Sequence, residues 1–342
     1  MKRAKMKIAV TGGCGYIGSH TIVDLLNAGY DVISIDSLVN SSETVIDGIQ
    51  KITGKRIVNY KIDLSVENSW HELLEKEKDV QGIIHFAAFK AVGESVQHPL
   101  VYYKNNVCGL IEVLKWMDKA SIPYLIYSSS CTVYGQTSEL PVTETAVFGE
   151  ATSPYGRTKQ IGEWLLQDLF SGTTRKAISL RYFNPAGAHD SGWIGEAPTN
   201  PALNLVPVIT ETAIGKRSRF TVYGNDYNTP DGSCIRDYIH IMDLANAHTK
   251  ALDYLIAHPN APSYDAFNLG IGKGYSVLEM IKMFELISGL KLNYQLGPRR
   301  PGDAESIYAD NSKAIKILNW TPKRNLEMIL QSAWNWERHR SI

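Results

Sequence analysis

Tyr155-Gly156-Arg157-Thr158-Lys159 places a phenol and an amine four residues apart. On a helix that spacing puts both on one face, where they can share one substrate. Holding a phenol of ordinary pKa ionised near neutrality costs roughly 4 kcal/mol. Neighbouring positive charge offsets such a cost and turns Tyr155 into a usable acid/base. Upstream, Tyr127-Ser128-Ser129-Ser130-Cys131-Thr132-Val133-Tyr134-Gly135 leaves the carboxyl end of an expected strand, which is where open α/β sheets bind ligands. Ser130 can there hydrogen-bond a reacting oxygen. A lone Y-x-x-x-K also describes an ordinary surface pair, so its meaning depends on what surrounds it.

Thr11-Gly12-Gly13-Cys14-Gly15-Tyr16-Ile17-Gly18 follows an apolar strand and opens a helix, with Gly12, Gly15 and Gly18 spaced G-x-x-G-x-x-G. Side chains at these positions would block a pyrophosphate, whereas bare backbone N–H groups and a helix N-terminus attract it. Asp36 closes the next strand, where a carboxylate can hold ribose hydroxyls and repel a 2′-phosphate. The pair predicts NAD rather than NADP, and the positive nicotinamide adds to the charge available to Tyr155. Asp63 is expected to end the third strand, as an adenine contact or as a solvated strand-end acid.

These groups need a scaffold, and the first half supplies one in alternating short apolar strands and helical patterns. They are read as Ile8–Thr11, Tyr16–Ala28, Val32–Asp36, Glu43–Ile52, Ile57–Lys61, Trp70–Glu77, Gly82–Ala87, Leu100–Lys119, Tyr124–Ser129, Tyr155–Phe170 and Ala177–Tyr182. The rhythm predicts an α/β fold with a doubly wound (Rossmann) parallel sheet. A segment rich in Pro, Asn and Gly from Asn184 to Asn204 marks a change of architecture. Residues 1–184 are expected to form the dinucleotide-binding domain carrying the catalytic residues. Residues 185–342 are expected to form a smaller mixed α/β lobe, mainly for the substrate, with some segments returning to the first domain. Helices are expected there at Met242–Ala257, Ser276–Ser288 and Leu326–Trp336, with turns at Tyr223-Gly224-Asn225-Asp226 and Pro301-Gly302-Asp303.

Lysine plus arginine and aspartate plus glutamate number 35 each, which argues against nucleic acid or an anionic membrane as partner. The basic Met1–Lys5 runs into a strand rather than the apolar core of a signal peptide, and no run reaches membrane-spanning length. Cys14, Cys108, Cys131 and Cys234 are far apart without a C-x-x-C pair, and the nine histidines are scattered. Neither a metal site nor a disulfide framework is expected, and a reducing cytoplasm fits.

Together the glycine turn, Asp36, Ser130, Tyr155 and Lys159 make a specific set. TGGCGYIGSH at 11–20, HFAAFKAVGESVQHPL at 85–100, SSSCTVYG at 128–135, SPYGRTK at 153–159, RYFNPAGAH at 181–189 and GNDYNTPDGSCIRDYIHIMDLA at 224–245 extend it. Over residues 8 to about 336 the chain resembles the extended short-chain dehydrogenase/reductase family and, within it, the UDP-hexose 4-epimerases. That resemblance implies Tyr155 as acid/base, Lys159 on the nicotinamide ribose and Ser130 on the substrate hydroxyl. It assigns Tyr16, Ile17, Asp36, Asn40, Asp63, Leu64, Phe86, Lys90, Asn105 and Tyr182 to the NAD site. It places a UDP-sugar against Asn184, Asn204, Leu205, Thr221, Tyr223, Arg236, Arg300 and Asp303. Forked guanidinium groups suit a pyrophosphate, a tyrosine face suits uracil, and a carboxylate accepts from ribose hydroxyls. Departures are mild: Ser37 stands where the family often has Asn, and Cys131, a packing residue, where it often has Ala.

The resemblance implies exchange of UDP-glucose and UDP-galactose through a 4-keto intermediate, with NAD retained and a homodimer as the assembly. Ile307 aligns with a position where side-chain size governs room for an N-acetyl group, and its intermediate size leaves UDP-GlcNAc/UDP-GalNAc open. A 4,6-dehydratase would need an Asp-Glu pair where Cys131 and Thr132 stand. A UDP-uronate 4-epimerase or decarboxylase remains an alternative, as does a non-catalytic NAD-sensing protein, which would have little use for Ser130, Tyr155 and Lys159 together.

Overall fold

The computed structural model describes residues 6–137, 139–199, 201–300 and 303–341. The basic Met1–Lys5 and the Pro301-Gly302 part of the expected turn lie outside the described residues. The strands are, in chain order, β1 (Lys7–Thr11), β2 (Asp31–Ile35), β3 (Val58–Tyr60), β4 (Val80–His85), β5 (Tyr124–Ser128), β6 (Lys176–Tyr182), β7 (Asn184–Ala186), β8 (Phe220–Tyr223), β9 (Ile235–Arg236), β10 (Tyr238–His240), β11 (Tyr264–Leu269), β12 (Tyr275–Ser276), β13 (Tyr294–Gly297) and β14 (Ser306–Ile307).

Seven of them form one sheet in the order β11-β6-β5-β4-β1-β2-β3, every pairing parallel. A parallel sheet covered by helices on both faces needs apolar residues on both sides of each strand. Accordingly Ile8 and Val10 of β1 pack into one core with Ile22, Leu25 and Leu252, while Ala9 faces a second core with Ile33, Leu110, Val113, Trp116 and Leu125. The order reverses between β4 and β1, which opens a crevice at the carboxyl ends of these strands.

The chain beyond residue 184 does not stay apart from this sheet. β11 adds to its edge beside β6, and the helix Ile241–Ala257 packs against the helix Tyr16–Asn27. The rest forms a smaller lobe: β7 pairs with β10, β9 with β12 and β14, and β8 with β13. Its core gathers Phe220, Met280, Phe284, Leu330 and Trp334.

The structure differs from the sequence reading at several elements. The helix expected over Leu100–Lys119 runs unbroken from Pro99 to Lys119, but its middle is π-helical: Pro99–Tyr102 leads into the π-stretch Tyr103–Cys108, and Gly109–Lys119 follows. β3 stops at Tyr60, so Asp63 lies in the loop beyond the strand rather than at its end. Helices at Val92–Gln97, Leu205–Ala213 and Ser312–Leu318 were not expected, and the last helix runs on to Arg340. Among the described residues no helix is long and apolar enough to cross a membrane.

Candidate functional site

Pro154 opens the helix Pro154–Phe170, and the side chain of Ser153 caps it by accepting from Gly156 N at 3.1 Å. A proline at the first helical position and a serine before it are strong start signals. Tyr155, Lys159 and Glu163 follow at four-residue intervals, so all face the sheet and all are buried. Lys159 Nζ donates to the Ser128 carbonyl at 2.6 Å and lies 5.0 Å from the centre of the Tyr127 ring. Close approach of this helix to β5 is possible because residue 162 is glycine: a Cβ there would meet Tyr127 Oη at 2.2 Å.

The serines after Tyr127 divide the work. Ser128 Oγ pairs with Tyr182 Oη, Ser129 Oγ donates to Glu163, and Ser130 starts the short 3-10 turn Cys131–Tyr134. Ser130 Oγ accepts from Thr132 N at 3.2 Å, and the Ser130 side chain lies near that of Tyr155. The three predicted catalytic side chains are thus gathered at the carboxyl end of β5.

Electrostatics of the pair differ from the simple expectation. Burial raises the Tyr155 hydroxyl well above its ordinary range, the neighbouring Tyr182 adds to this, and the nearby Ser130 side chain opposes it only in part. Burial likewise draws the Lys159 amine down to about 7, with Glu163 pulling the other way. Lys159 Nζ sits 5.9 Å from the Tyr155 ring centre and directs a proton to a backbone carbonyl. The lysine alone therefore does not acidify the tyrosine, and further positive charge in the crevice is needed to do so.

The glycine turn lies at the same carboxyl edge of the sheet, after β1 and two strands from β5. Gly12 follows β1 with φ +67, and a Cβ on it would meet Ala87 N at 2.9 Å, directly after β4. On Gly18 a Cβ would strike Gly12 O at 2.2 Å, so the helix Tyr16–Asn27 seats against the turn only with glycine there. Gly15 caps that helix with no side-chain hydrogen bond, leaving the first N–H groups to the crevice. This bare cradle fits the pyrophosphate of a dinucleotide. Asp36 adjoins it: its carboxylate accepts from Cys14 N, Leu38 N and Ser41 Oγ, which fixes it at the end of β2.

Around this cradle the predicted contacts fall as follows. Tyr16 Oη donates to Gly187 O at 2.6 Å; Ile17 and Phe86 pack against the core, and Leu64 is buried. Asn40 is exposed, and exposed Asp63 accepts from Ser65 N at 2.9 Å, a local turn bond. Lys90 Nζ pairs with Glu196 at 3.0 Å. Asn105 donates to Asn106 from the π-helical stretch. Asn106 itself, which the sequence reading missed, accepts from Phe89 N and donates to Phe89 O and Thr158 Oγ1, tying the loop after β4 to the Tyr155 helix. A π-stretch is a recurrent mark of functional sites.

In the smaller lobe Asp303 holds both predicted arginines, with Arg300 Nε at 3.2 Å and Arg236 Nη2 at 3.6 Å. The Arg300 guanidinium lies 5.0 Å from the Tyr223 ring centre. Asp303 is thus engaged by both cations. Ile307 pairs in register with Arg236 between β14 and β9 and is buried in a cluster with Val133, Phe183 and Ala309, against which Cys131 packs. The Cys131 thiol is pushed up to about 12 by burial, as a packing residue would be. Asn184 lies in β7 in register with Tyr238, and Thr221 Oγ1 accepts from Gln295. Asn204 precedes the helix that Leu205 begins, and its amide donates to Glu196.

Also unforeseen is a buried network behind the site. Glu163 accepts from Arg181, Ser129 and Tyr264, and Arg181 also reaches Tyr134. Among the described residues no group of His, Cys, Asp and Glu could hold a metal ion.

Residues 9–333 match the family model described as GDP-mannose 4,6 dehydratase. The chain is 46% identical over 334 residues to a UDP-glucose 4-epimerase of Pasteurella multocida, covering 97% of this chain and 98% of the relative. It is similar in structure to a UDP-glucose 4-epimerase of Stenotrophomonas maltophila with bound NAD and formylated UDP-arabinopyranose, at TM-score 0.94 and 42% identity, covering 98% and 99% of the two chains. It also resembles the Bifidobacterium longum enzyme in complex with NAD+ and UDP, at TM-score 0.93 and 42% identity, again covering 98% and 99%.

Proposed function

The chain belongs to the family of the GDP-mannose 4,6 dehydratase model and, within it, to the UDP-glucose 4-epimerases, and on that premise we propose how its own residues carry out the reaction. It interconverts UDP-glucose and UDP-galactose. Gly12, Gly15 and Gly18 with Asp36 hold NAD, which, when bound, takes the hydride of the sugar C4 and gives it back. Ser130 orients the O4 hydroxyl, and Tyr155 takes its proton and later returns it to the inverted centre. Lys159, anchored on Ser128, contacts the nicotinamide ribose.

Return of hydride to the opposite face requires the 4-ketose to turn over in the site. Firm anchoring therefore belongs on the nucleotide, and Arg236, Arg300, Asp303 and Tyr223 supply it while the hexose stays loosely held. The dehydratase reaction named by the family model is not the one assigned, because Cys131 and Thr132 provide no acid and base for loss of water. We read the working form as a cytoplasmic homodimer. Free cysteines and the exposed Leu100, Val101, Trp164 and Leu169 on the helical segments 99–119 and 154–170 support that reading.

The observation that carries the proposal is the convergence of Ser130, Tyr155 and Lys159 at the same carboxyl edge of the sheet as the glycine cradle. Purified protein incubated with UDP-galactose, UDP-GalNAc and UDP-galacturonate, with chromatography of the products, tests it. UDP-galactose is expected to give UDP-glucose. Tyr155→Phe is expected to lose roughly a hundred- to ten-thousand-fold in kcat while still holding its dinucleotide. Intact turnover in that variant overturns the assignment. For the acetylated pair, Ile307→Tyr narrows the space beside Arg236 and should suppress UDP-GlcNAc turnover relative to UDP-glucose.

A further inference from the structure

The segment after β7 crosses from the smaller lobe to the dinucleotide side of the crevice. Tyr16 Oη donates to Gly187 O; Ala188 bridges to Gly195 to form a short hairpin; and the tip residue Trp193 lies under Lys51, whose Nζ is 3.6 Å from the indole centre. Gly48 permits this seating, since a Cβ there would meet Trp193 O at 2.5 Å. Trp336 Nε1 holds the far end by donating to Glu196 O at 2.9 Å. The hairpin thus delivers one side chain, Glu196, to a fixed place between the two halves.

Glu196 is largely buried, with 10% of its side chain exposed. One oxygen, Oε1, accepts from Lys90 Nζ at 3.0 Å and from Asn204 Nδ2 at 2.8 Å. Lys90 belongs to the loop after β4 that borders the glycine turn, and Asn204 stands at the N-terminal cap position of the helix Leu205–Ala213 in the smaller lobe. From this geometry we propose that Glu196 is a positioning residue that links occupancy of the dinucleotide cradle to occupancy of the nucleotide-sugar site. This rests on the reading above, in which Lys90 faces NAD and Asn204 faces the UDP moiety.

The link works because one acceptor serves both donors. A ligand that orders Asn204 orders the carboxylate, and the carboxylate orders Lys90, so each ligand finds the other's contact already in place. Such coupling is reciprocal: the factor by which UDP tightens the dinucleotide equals that by which the dinucleotide tightens UDP. It keeps the dinucleotide seated while the sugar turns over.

The test uses the holoenzyme and follows loss of bound dinucleotide after dilution, by enzymatic cycling of the released NAD, with and without saturating UDP. In the natural protein UDP should slow loss by about fivefold or more, the low end of ordinary coupling. In Glu196→Ala that ratio should fall below about twofold, and Asn204→Ala, which cuts the other arm, should do the same. General loosening would speed loss equally with and without UDP and leave the ratio intact, so an unchanged ratio in Glu196→Ala overturns the proposal. So does a natural protein whose dinucleotide loss ignores bound UDP. A natural protein that holds no dinucleotide or binds no UDP instead overturns the function assigned above. If Glu196→Ala does not fold, Asn204→Ala decides.

Discussion

At Lys159 charge and burial oppose each other. Burial draws its amine down to about 7 in the fold, against 10.5 for the ordinary side chain. Between those values the unfolded chain binds a proton that the folded chain does not, so this group makes folding stability rise with pH. Its favourable share is complete above the unfolded value and is lost as pH falls through the folded one. Replacement by methionine keeps an unbranched apolar stem and removes the charge, and the advantage of Lys159→Met should therefore grow toward acid. In dinucleotide-free protein, urea unfolding should show the variant gaining on the natural chain by up to roughly 1.4 kcal/mol per pH unit on going from about pH 9 to about pH 7. A stability difference independent of pH would mean that the amine is not desolvated. The same residue explains why Tyr155 cannot be understood as a pair with lysine alone: both groups are disfavoured in charged form by the same enclosure.

Elements differ in how far their sequence announces them. The strands and most helices show in apolar period and cap chemistry, as with Ser153-Pro154 before the Tyr155 helix. The π-stretch Tyr103–Cys108 does not, because a locally wider turn leaves the apolar pattern of the flanking helix almost unchanged; its purpose shows only where Asn106 meets Phe89 and Thr158. Glu163 and Arg181, although chemically conspicuous, are eighteen residues apart and carry no spacing signal for the pair they form at 2.6 Å. Gly162 is a third case. In a helix interior glycine costs about 1 kcal/mol relative to alanine, and the contact with Tyr127 gives the reason for it. Gly162→Val should force the helix Pro154–Phe170 away from β5, at a cost of roughly 1–3 kcal/mol for overpacking. Because Lys159 and Tyr155 ride on that helix, kcat should fall by about tenfold or more, with dinucleotide binding affected less. Urea unfolding and turnover together check this, and a variant within about twofold of the natural kcat would show that the close approach does not position the site.

On the scale of the whole molecule, the parallel sheet and its ligand-binding edge were legible from the βα rhythm and the Gly12–Gly18 turn. The return of the chain to the sheet was foreseen only in general terms. β11 was not placed, because an edge strand reached from a distant segment leaves no local mark of its partner. Its consequence is that residues 1–184 hold only part of a core. Within the cluster that contains Ile8, Ile22 and Ile178, the residues Ile241, Leu244, Leu252, Phe267, Leu269 and Trp320 all come from beyond that boundary. Burying one such side chain is worth about 1.5–3 kcal/mol, so losing these six removes an amount comparable to the whole ~5–15 kcal/mol that holds a domain together. A fragment of residues 1–184 should therefore lack a cooperative thermal transition and bind ANS strongly. The dinucleotide cradle is present in its sequence, yet the fragment should not retain NAD through gel filtration, because the helix Tyr16–Asn27 loses Ile241–Ala257 as its packing partner. A fragment that melts sharply and keeps NAD would mean that the dinucleotide unit folds on its own and that the later segments only add the sugar site.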